Sequence, residues 1–215
     1  MLKIESFTFN AFQENTFVVS DQTNECVIID PGCYDKSEGD ELIDYIKHAE
    51  LKVTAIINTH CHIDHVLGNY RMKEVFKTKL WINRIEEPYL RAVKSYASNY
   101  GFNLYQETLP DGFIDEKEFV KVGEHELEVL FVPGHSPGHI ALYDEGERIL
   151  LAGDVLFRNS VGRTDLPGGD HDTLIHSIRH KLFQLPDDVT VYCGHGPETK
   201  IGYEKKTNPY CSIEG

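Results

Sequence analysis

Short apolar runs separated by turn residues dominate the first part of the chain. Segments near residues 2–9, 15–20 and 25–30 are apolar or β-branched and predict three strands joined by short turns. From Asp40 to Glu50 the period changes, with Leu42, Ile43, Ile46 and Ala49 at helical spacing. Val53-Thr-Ala-Ile-Ile-Asn58 predicts a further short buried strand. A helix is expected over 66–76, and another over 84–100 carrying Tyr89, Tyr96 and Tyr100. Those rings read as packing groups, with a lid as the alternative. Strands resume at 118–122, 126–132, 139–143 and 148–152. Leu174, Ile175, Ile178, Leu182 and Phe183 predict a helix over 170–185, and 189–192 is a last short strand. Strand runs followed by helices in both halves predict an α/β fold in which sheets pack face to face with helices outside.

Composition narrows the function classes. The 215 residues suit one large domain with a sizeable core. A formal net charge of −14, with no basic stripe, argues against nucleic acid as a partner. No apolar run approaches a membrane span, and the first ten residues lack the apolar stretch of a signal peptide. The five cysteines are scattered and include no C-x-x-C pair, which points to a reducing, cytoplasmic setting.

The chemistry concentrates in Thr59-His60-Cys61-His62-Ile63-Asp64-His65. Imidazole nitrogen and carboxylate oxygen suit zinc, iron or manganese. If the preceding strand stays extended through this loop, His60, His62 and Asp64 share one side and His65 faces the other. Such a loop could serve two neighbouring ions. Three later segments repeat the same context of strand end, glycine and then a donor. They are Pro133-Gly134-His135, Gly153-Asp154 and Cys193-Gly194-His195. Taken singly, each donor also reads as a turn or capping residue.

As a set, His60-x-His62-x-Asp64-His65 with His135, Asp154 and His195 resembles the metallo-β-lactamase superfamily, and more narrowly its glyoxalase II branch. The resemblance implies a four-layer αββα sandwich over residues 1–215, with a metal site at one edge of the two packed sheets. It further implies one ion held by His60, His62 and His135, a second held by Asp64, His65 and His195, and Asp154 bridging the pair. Asp30 would orient a ligand from behind, although Asp-Pro-Gly is also a turn signal. The implied cofactors are two divalent ions, zinc first, with iron or manganese as alternatives.

The activity implied is hydrolysis of an S-acyl thioester such as S-lactoylglutathione, with Asp64 and Asp154 as the catalytic carboxylates. Arg163 lies where the family places a basic substrate-binding residue; its ordinary alternative is an ion pair with Asp165 or Asp170. The family's C-terminal helical domain and its substrate tyrosines have no counterpart here, with Asp165 and Pro197 at the tyrosine positions, so the partner is expected to be a small acyl thioester whose thiol is open. Lactam-cleaving relatives lack a histidine at the place of His65, which disfavours that activity. The runner-up is a persulfide dioxygenase using a single iron. A lactonase or phosphodiesterase of the same superfamily and a non-enzymatic metal-binding module stay open.

Overall fold

The computed structural model describes residues 1–213, which fall into two compact units. The first contains β1 (Lys3–Phe9), β2 (Glu14–Ser20), β3 (Glu25–Ile29), α1 (Lys36–His48), β4 (Lys52–Ile57), α2 (Ile63–Val66), α3 (Asn69–Phe76), β5 (Lys79–Ile82), α4 (Glu87–Tyr96) and β6 (Gly112–Phe113). Its six strands form one sheet in chain order. β1, β2 and β3 are an antiparallel meander, whereas β3, β4, β5 and β6 run parallel. Because β3 and β4 are parallel neighbours, Asp30 and Asn58 leave the same end of the sheet. The core of this unit includes Val18, Ile28, Leu42, Ile46, Ile56, Met72, Leu80, Ile82, Leu90 and Val93.

The second sheet comprises β7 (Phe119–Val122), β8 (His125–Phe131), β9 (Ile140–Asp144), β10 (Ile149–Gly153), β13 (Thr190–Cys193) and β14 (Thr199–Lys200), in the spatial order β14-β13-β10-β9-β8-β7. β11 (Leu156–Phe157) and β12 (Ser160–Val161) form a small hairpin, and α5 (His171–His180) and α6 (Ile201–Thr207) complete the unit. β8 is antiparallel to β9, β9 to β10, and β10 is parallel to β13. β8, β10 and β13 therefore point the same way. The donors that follow them, His135, Asp154 and His195, emerge at one edge. A separate core of Val132, Ala141, Leu150, Leu174, Ile178, Leu182 and Val191 lies within this unit.

Local chemistry sets the element boundaries. α1 begins four residues before the apolar periodicity does, because Asp35 caps it by accepting the Glu38 amide at 2.9 Å. α5 starts behind Asp170, which accepts the Thr173 amide at 2.8 Å. The helix expected over 66–76 is α3, which begins at Asn69 behind the separate short helix α2. At the break the Gly68 amide donates to the Pro31 carbonyl at 2.7 Å, and a Cβ there would lie 2.4 Å from Cys33 Sγ. β5 escaped the sequence reading because four residues, Lys79-Leu-Trp-Ile82, are too few to show a period. Sheet pairing to β4 and burial of Leu80 and Ile82 define it instead. The expected helix over 84–100 is α4 flanked by two single 3₁₀ turns.

Gly134 is required where the second sheet meets α5. Its φ is +133°, and a Cβ would lie 2.3 Å from the Leu174 backbone. Its carbonyl accepts the Asp170 amide at 2.8 Å, and Ser177 Oγ donates to the Pro133 carbonyl at 2.7 Å. Gly134→Ala is expected to cost about 2 kcal/mol or more of stability, read as a lowered denaturation midpoint with unchanged m-value. A midpoint equal to wild type would refute this role.

Candidate metal centre

In the first unit the donors stand on a loop that Asp30 organises. Asp30 is buried and left-handed, with φ 49°. Its Oδ1 accepts the Thr59 amide at 2.7 Å, and its Oδ2 accepts Thr59 Oγ1 at 2.6 Å and lies 3.1 Å from His65 Nδ1. A buried carboxylate satisfied this fully accepts the His65 Nδ1 proton, which leaves Nε2 with the lone pair. Thr59 Oγ1, having spent its proton on Asp30, accepts from His60 Nδ1 at 3.1 Å, so His60 also offers Nε2. The His60 ring centroid stands 4.7 Å from that of His62 and 4.2 Å from that of His65.

The extended alternation expected for this loop stops at His62. That residue is the extended cap of α2, and Asp64 and His65 stand on the helical turn that follows. The turn brings the His65 ring beside His60 instead of leaving it on an opposite face. Asp64 Oδ2 is 3.7 Å from His65 Nε2. Asp30, His60 and His65 also offer donor atoms within 4.8 Å of one another. We read that trio as a hydrogen-bond network, since Asp30 already holds Thr59 and His65 at hydrogen-bond distances.

In the second unit His135 Nδ1 is 2.7 Å from the Arg163 carbonyl. A carbonyl only accepts, so Nδ1 carries the proton and Nε2 presents its lone pair. Asp154 Oδ2 lies 3.5 Å from His135 Nε2 and 3.5 Å from His195 Nε2. Donors placed about 2.0–2.1 Å from a tetrahedral ion stand roughly 3.3 Å from one another. The spacing and the all-N/O donor chemistry fit divalent metal binding. His139 is not a donor of this kind through Nε2, because that atom accepts the Asp154 amide at 3.0 Å. It braces the backbone of Asp154. Gly162 allows the close packing here; a Cβ would lie 1.9 Å from the Asp154 carbonyl.

Residues 9–195 match the model of the metallo-beta-lactamase superfamily. The chain belongs to that superfamily. Its fold is the superfamily's, and it is a metallo-hydrolase of this group. The BLEG-1 B3 metallo-beta-lactamase structure matches with a TM-score of 0.88 and 33% identity, over 98% of this chain and 99% of that one. The di-iron-bound form of TTHA1623 matches with a TM-score of 0.85 and 35% identity, over 96% and 99%. Among curated proteins, hydroxyacylglutathione hydrolase GloC of Haemophilus influenzae is 37% identical over 97% of this chain and 98% of its own length. The human persulfide dioxygenase ETHE1 is 29% identical over 84% of this chain, which spans 63% of that protein's length.

Arg163 makes the ion pair that the sequence offered as its ordinary alternative, with Asp165 and not Asp170. Its exposed guanidinium forms a two-pronged pair with Asp165, Nε to Oδ1 and Nη2 to Oδ2, both at 2.7 Å. The arginine holds the Asp165 carboxyl down at about 2. Its contribution to the donor set comes through its backbone carbonyl on His135. Lys205 is committed to Asp187 and the Leu185 carbonyl.

Two buried carboxylates were missed by the sequence reading. Glu14 Oε1 lies 3.8 Å from His65 Nδ1, on the side of the ring away from Nε2. Burial pushes its carboxyl well above the usual range, against the pull of His65. Glu86 is fully buried and accepts the Cys61 amide at 2.8 Å. Both are ordinary acidic residues in the sequence, and only packing buries them. Among the described residues no helix is long and apolar enough to cross a membrane.

All five cysteines are buried, and Cys61 and Cys193 pack into the two apolar cores rather than toward the donors. Burial raises Cys26, Cys33, Cys193 and Cys211 to about 12 and Cys61 well above its ordinary value. Thiols raised in this way stay protonated at pH 8, and the thiolate is the reactive form. Iodoacetamide is expected to label none of the five in the native protein at pH 8 and all of them in guanidinium. Mass-spectrometric detection of native labelling at Cys61 would contradict its burial.

Proposed function

We propose that this protein is a metal-dependent thioesterase, cleaving S-acyl thiols of the lactoylglutathione class. The observation that carries this reading is Asp154, whose Oδ2 stands 3.5 Å from the Nε2 atoms of both His135 and His195. One carboxylate set between two imidazole donors suits a ligand shared by two ions. In this reading His60, His62 and His135 hold one divalent ion, Asp64, His65 and His195 hold the other, and Asp154 serves both. Bound there, such ions would supply water activated near neutral pH and a Lewis acid for a carbonyl oxygen. Zinc is the first choice of metal; the di-iron form of TTHA1623 supports iron as the alternative.

The residues themselves account for positioning. Asp30, Thr59 and the Arg163 carbonyl hold three imidazoles with Nε2 outward, so little reorientation is needed when an ion arrives. Asp64 and Asp154 place carboxylate oxygens beside those nitrogens and set the charge of the donor set. The described donor residues include no side chain suited to protonate an amine leaving group. A thiolate needs none, since its parent thiol has a pKa near ~8.5. The GloC relative supports a glutathione thioester as the first substrate to try.

The persulfide dioxygenase reading is favoured by the ETHE1 relatives alone. A single-iron site needs two histidines and one carboxylate, and so would use only part of the donor set proposed above.

The test is a panel on metal-analysed protein: lactoylglutathione, other acyl thioesters, a lactone, a phosphodiester, a β-lactam, and glutathione persulfide with an oxygen electrode. Thioester turnover without oxygen uptake is expected, with two metals per chain. Asp154→Ala is expected to lower kcat/KM more than about 100-fold, beyond the ~10–100-fold typical of an outer partner. Retained turnover in that variant removes Asp154 from its assigned place. Asp30→Asn keeps the shape but loses the charge that holds His65. It should weaken metal affinity by about 10–100-fold, read by competition with a chromogenic chelator; unchanged affinity would show that Asp30 is only a turn residue.

A further inference from the structure

The hairpin β11–β12 runs between two parts of the donor set. Val155 alone separates it from Asp154, and Gly162 alone separates it from Arg163. The Gly162 amide closes its base by donating to the Val155 carbonyl at 3.3 Å. The Arg163 carbonyl then holds His135 Nδ1 at 2.7 Å. Because that acceptor is backbone, His135 is oriented only as firmly as the segment that carries Arg163. On β11, Phe157 meets the His195 ring edge-on, with 6.2 Å between centroids. Movement of the hairpin would therefore reach Asp154, His135 and His195 together.

The hairpin is too small to hold itself. Each strand has two residues, with Leu156 paired to Val161 and Phe157 to Ser160. A lone two-stranded hairpin is marginal in water even at ordinary strand lengths. Its order comes from α6 and the residue that ends it. Glu204 is fully buried, and its carboxylate accepts the Asn159 amide at the hairpin turn through both oxygens, at 3.2 Å and 3.1 Å. Asn208, also buried, donates through Nδ2 to Glu204 Oε2 at 2.7 Å and to the Ser160 carbonyl at 3.0 Å. Tyr203 Oη donates to Asn159 Oδ1 at 3.0 Å. On its other side Glu204 Oε1 accepts Thr199 Oγ1 at 2.5 Å. Thr199 opens β14, directly after the loop that carries His195. One carboxylate thus joins the hairpin turn to the far end of the His195 loop.

We propose that Glu204 is a positioning residue for the metal donors: through the hairpin it sets Asp154, His135 and His195 as one group before an ion binds. This role rests on the donor assignment given above and is independent of the substrate. A buried carboxylate is a costly way to dock a helix, since its oxygens must all be filled by donors. Apolar packing would dock α6 without that cost. What the carboxylate adds is direction, because its charge-assisted bonds fix the turn and β14 at set distances from each other. It does for the second unit what Asp30 does for His65 in the first, but through backbone and not through the imidazole.

The test uses Glu204→Ala, the conservative Glu204→Gln, and Ile201→Val, a buried apolar change on the same helix that controls for lost stability. Zinc affinity is read by competition with a chromogenic chelator. The ring nitrogen that carries the His135 proton is read from two-bond ¹H–¹⁵N spectra of the metal-free protein. Glu204→Ala is expected to weaken zinc binding by about 10–100-fold, as for other outer partners of a metal site, and to mix the two His135 tautomers. Glu204→Gln keeps an oxygen for the Asn159 and Asn208 donors, so it should lose less than Glu204→Ala. Ile201→Val should lower the unfolding midpoint and leave zinc affinity unchanged. Wild-type affinity with a single Nδ1–H tautomer in Glu204→Ala, or an equal loss in Ile201→Val, overturns the role. If Glu204→Ala does not fold, hydrogen exchange of the wild type decides. The Asn159 and Gly162 amides should be equally protected with and without zinc, and protection that appears only on adding zinc overturns the role. Zinc affinity that is unchanged in Asp154→Ala fails the donor assignment itself and takes this role with it.

Discussion

A neutral imidazole can give a lone pair to a metal from only one nitrogen, and which one is decided by where the other sends its proton. In this protein that decision is made by acceptors with little freedom. The Asp30 carboxylate takes the His65 proton, Thr59 Oγ1 takes that of His60, and the Arg163 carbonyl takes that of His135. Thr59 can play this part only because its own proton is already committed to Asp30. The arrangement is built from buried groups, where an unmade hydrogen bond is costly, so the rings are held firmly in one sense. Without it the same histidines would be polar side chains on loops.

Sheet direction places these loops. β3 and β4 are parallel neighbours and deliver Asp30 and the Thr59–His65 segment from one end of the first sheet. β8, β10 and β13 share a direction and deliver His135, Asp154 and His195 from one edge of the second. Glycines let the backbone approach closely where side chains would collide, as at Gly134 against α5 and Gly162 against Asp154. Each unit has its own apolar core behind its donors. Rigid elements behind a loop are what allow a donor spacing of a few ångströms to be held without a bound ion.

The surroundings of the donors bear on what the chemistry acts on. Arg163 is shared with Asp165 and contributes its carbonyl inward, so a substrate anion would compete with an existing two-pronged pair. Exposed apolar side chains, Phe12, Tyr100 and Leu104, stand on the β1–β2 turn and the segment after α4.

Much of this was legible in the linear chain. Most strands were within a residue or two of their predicted ends, because burial on a pleated sheet leaves an apolar record at short range. Candidate donors stood out by residue type and by glycine-flanked contexts at strand ends, and the set of seven came from the resemblance to the superfamily. Periodicity could not register features set by long-range approach. The contact of Gly68 with Pro31 lies where α3 begins; β5 exists because β4 lies beside it; and the helical turn at Ile63 breaks the alternation expected of the His60–His65 loop. Glu86, Asn10 and Glu38 are ordinary polar residues in sequence, and only packing makes them structural. The residue types capable of holding a metal are a property of the sequence by itself. Which nitrogen His65 and His135 offer, and which loops the parallel strands bring to one edge, were decided by tertiary structure, because each depends on a partner distant along the chain and on its distance in space.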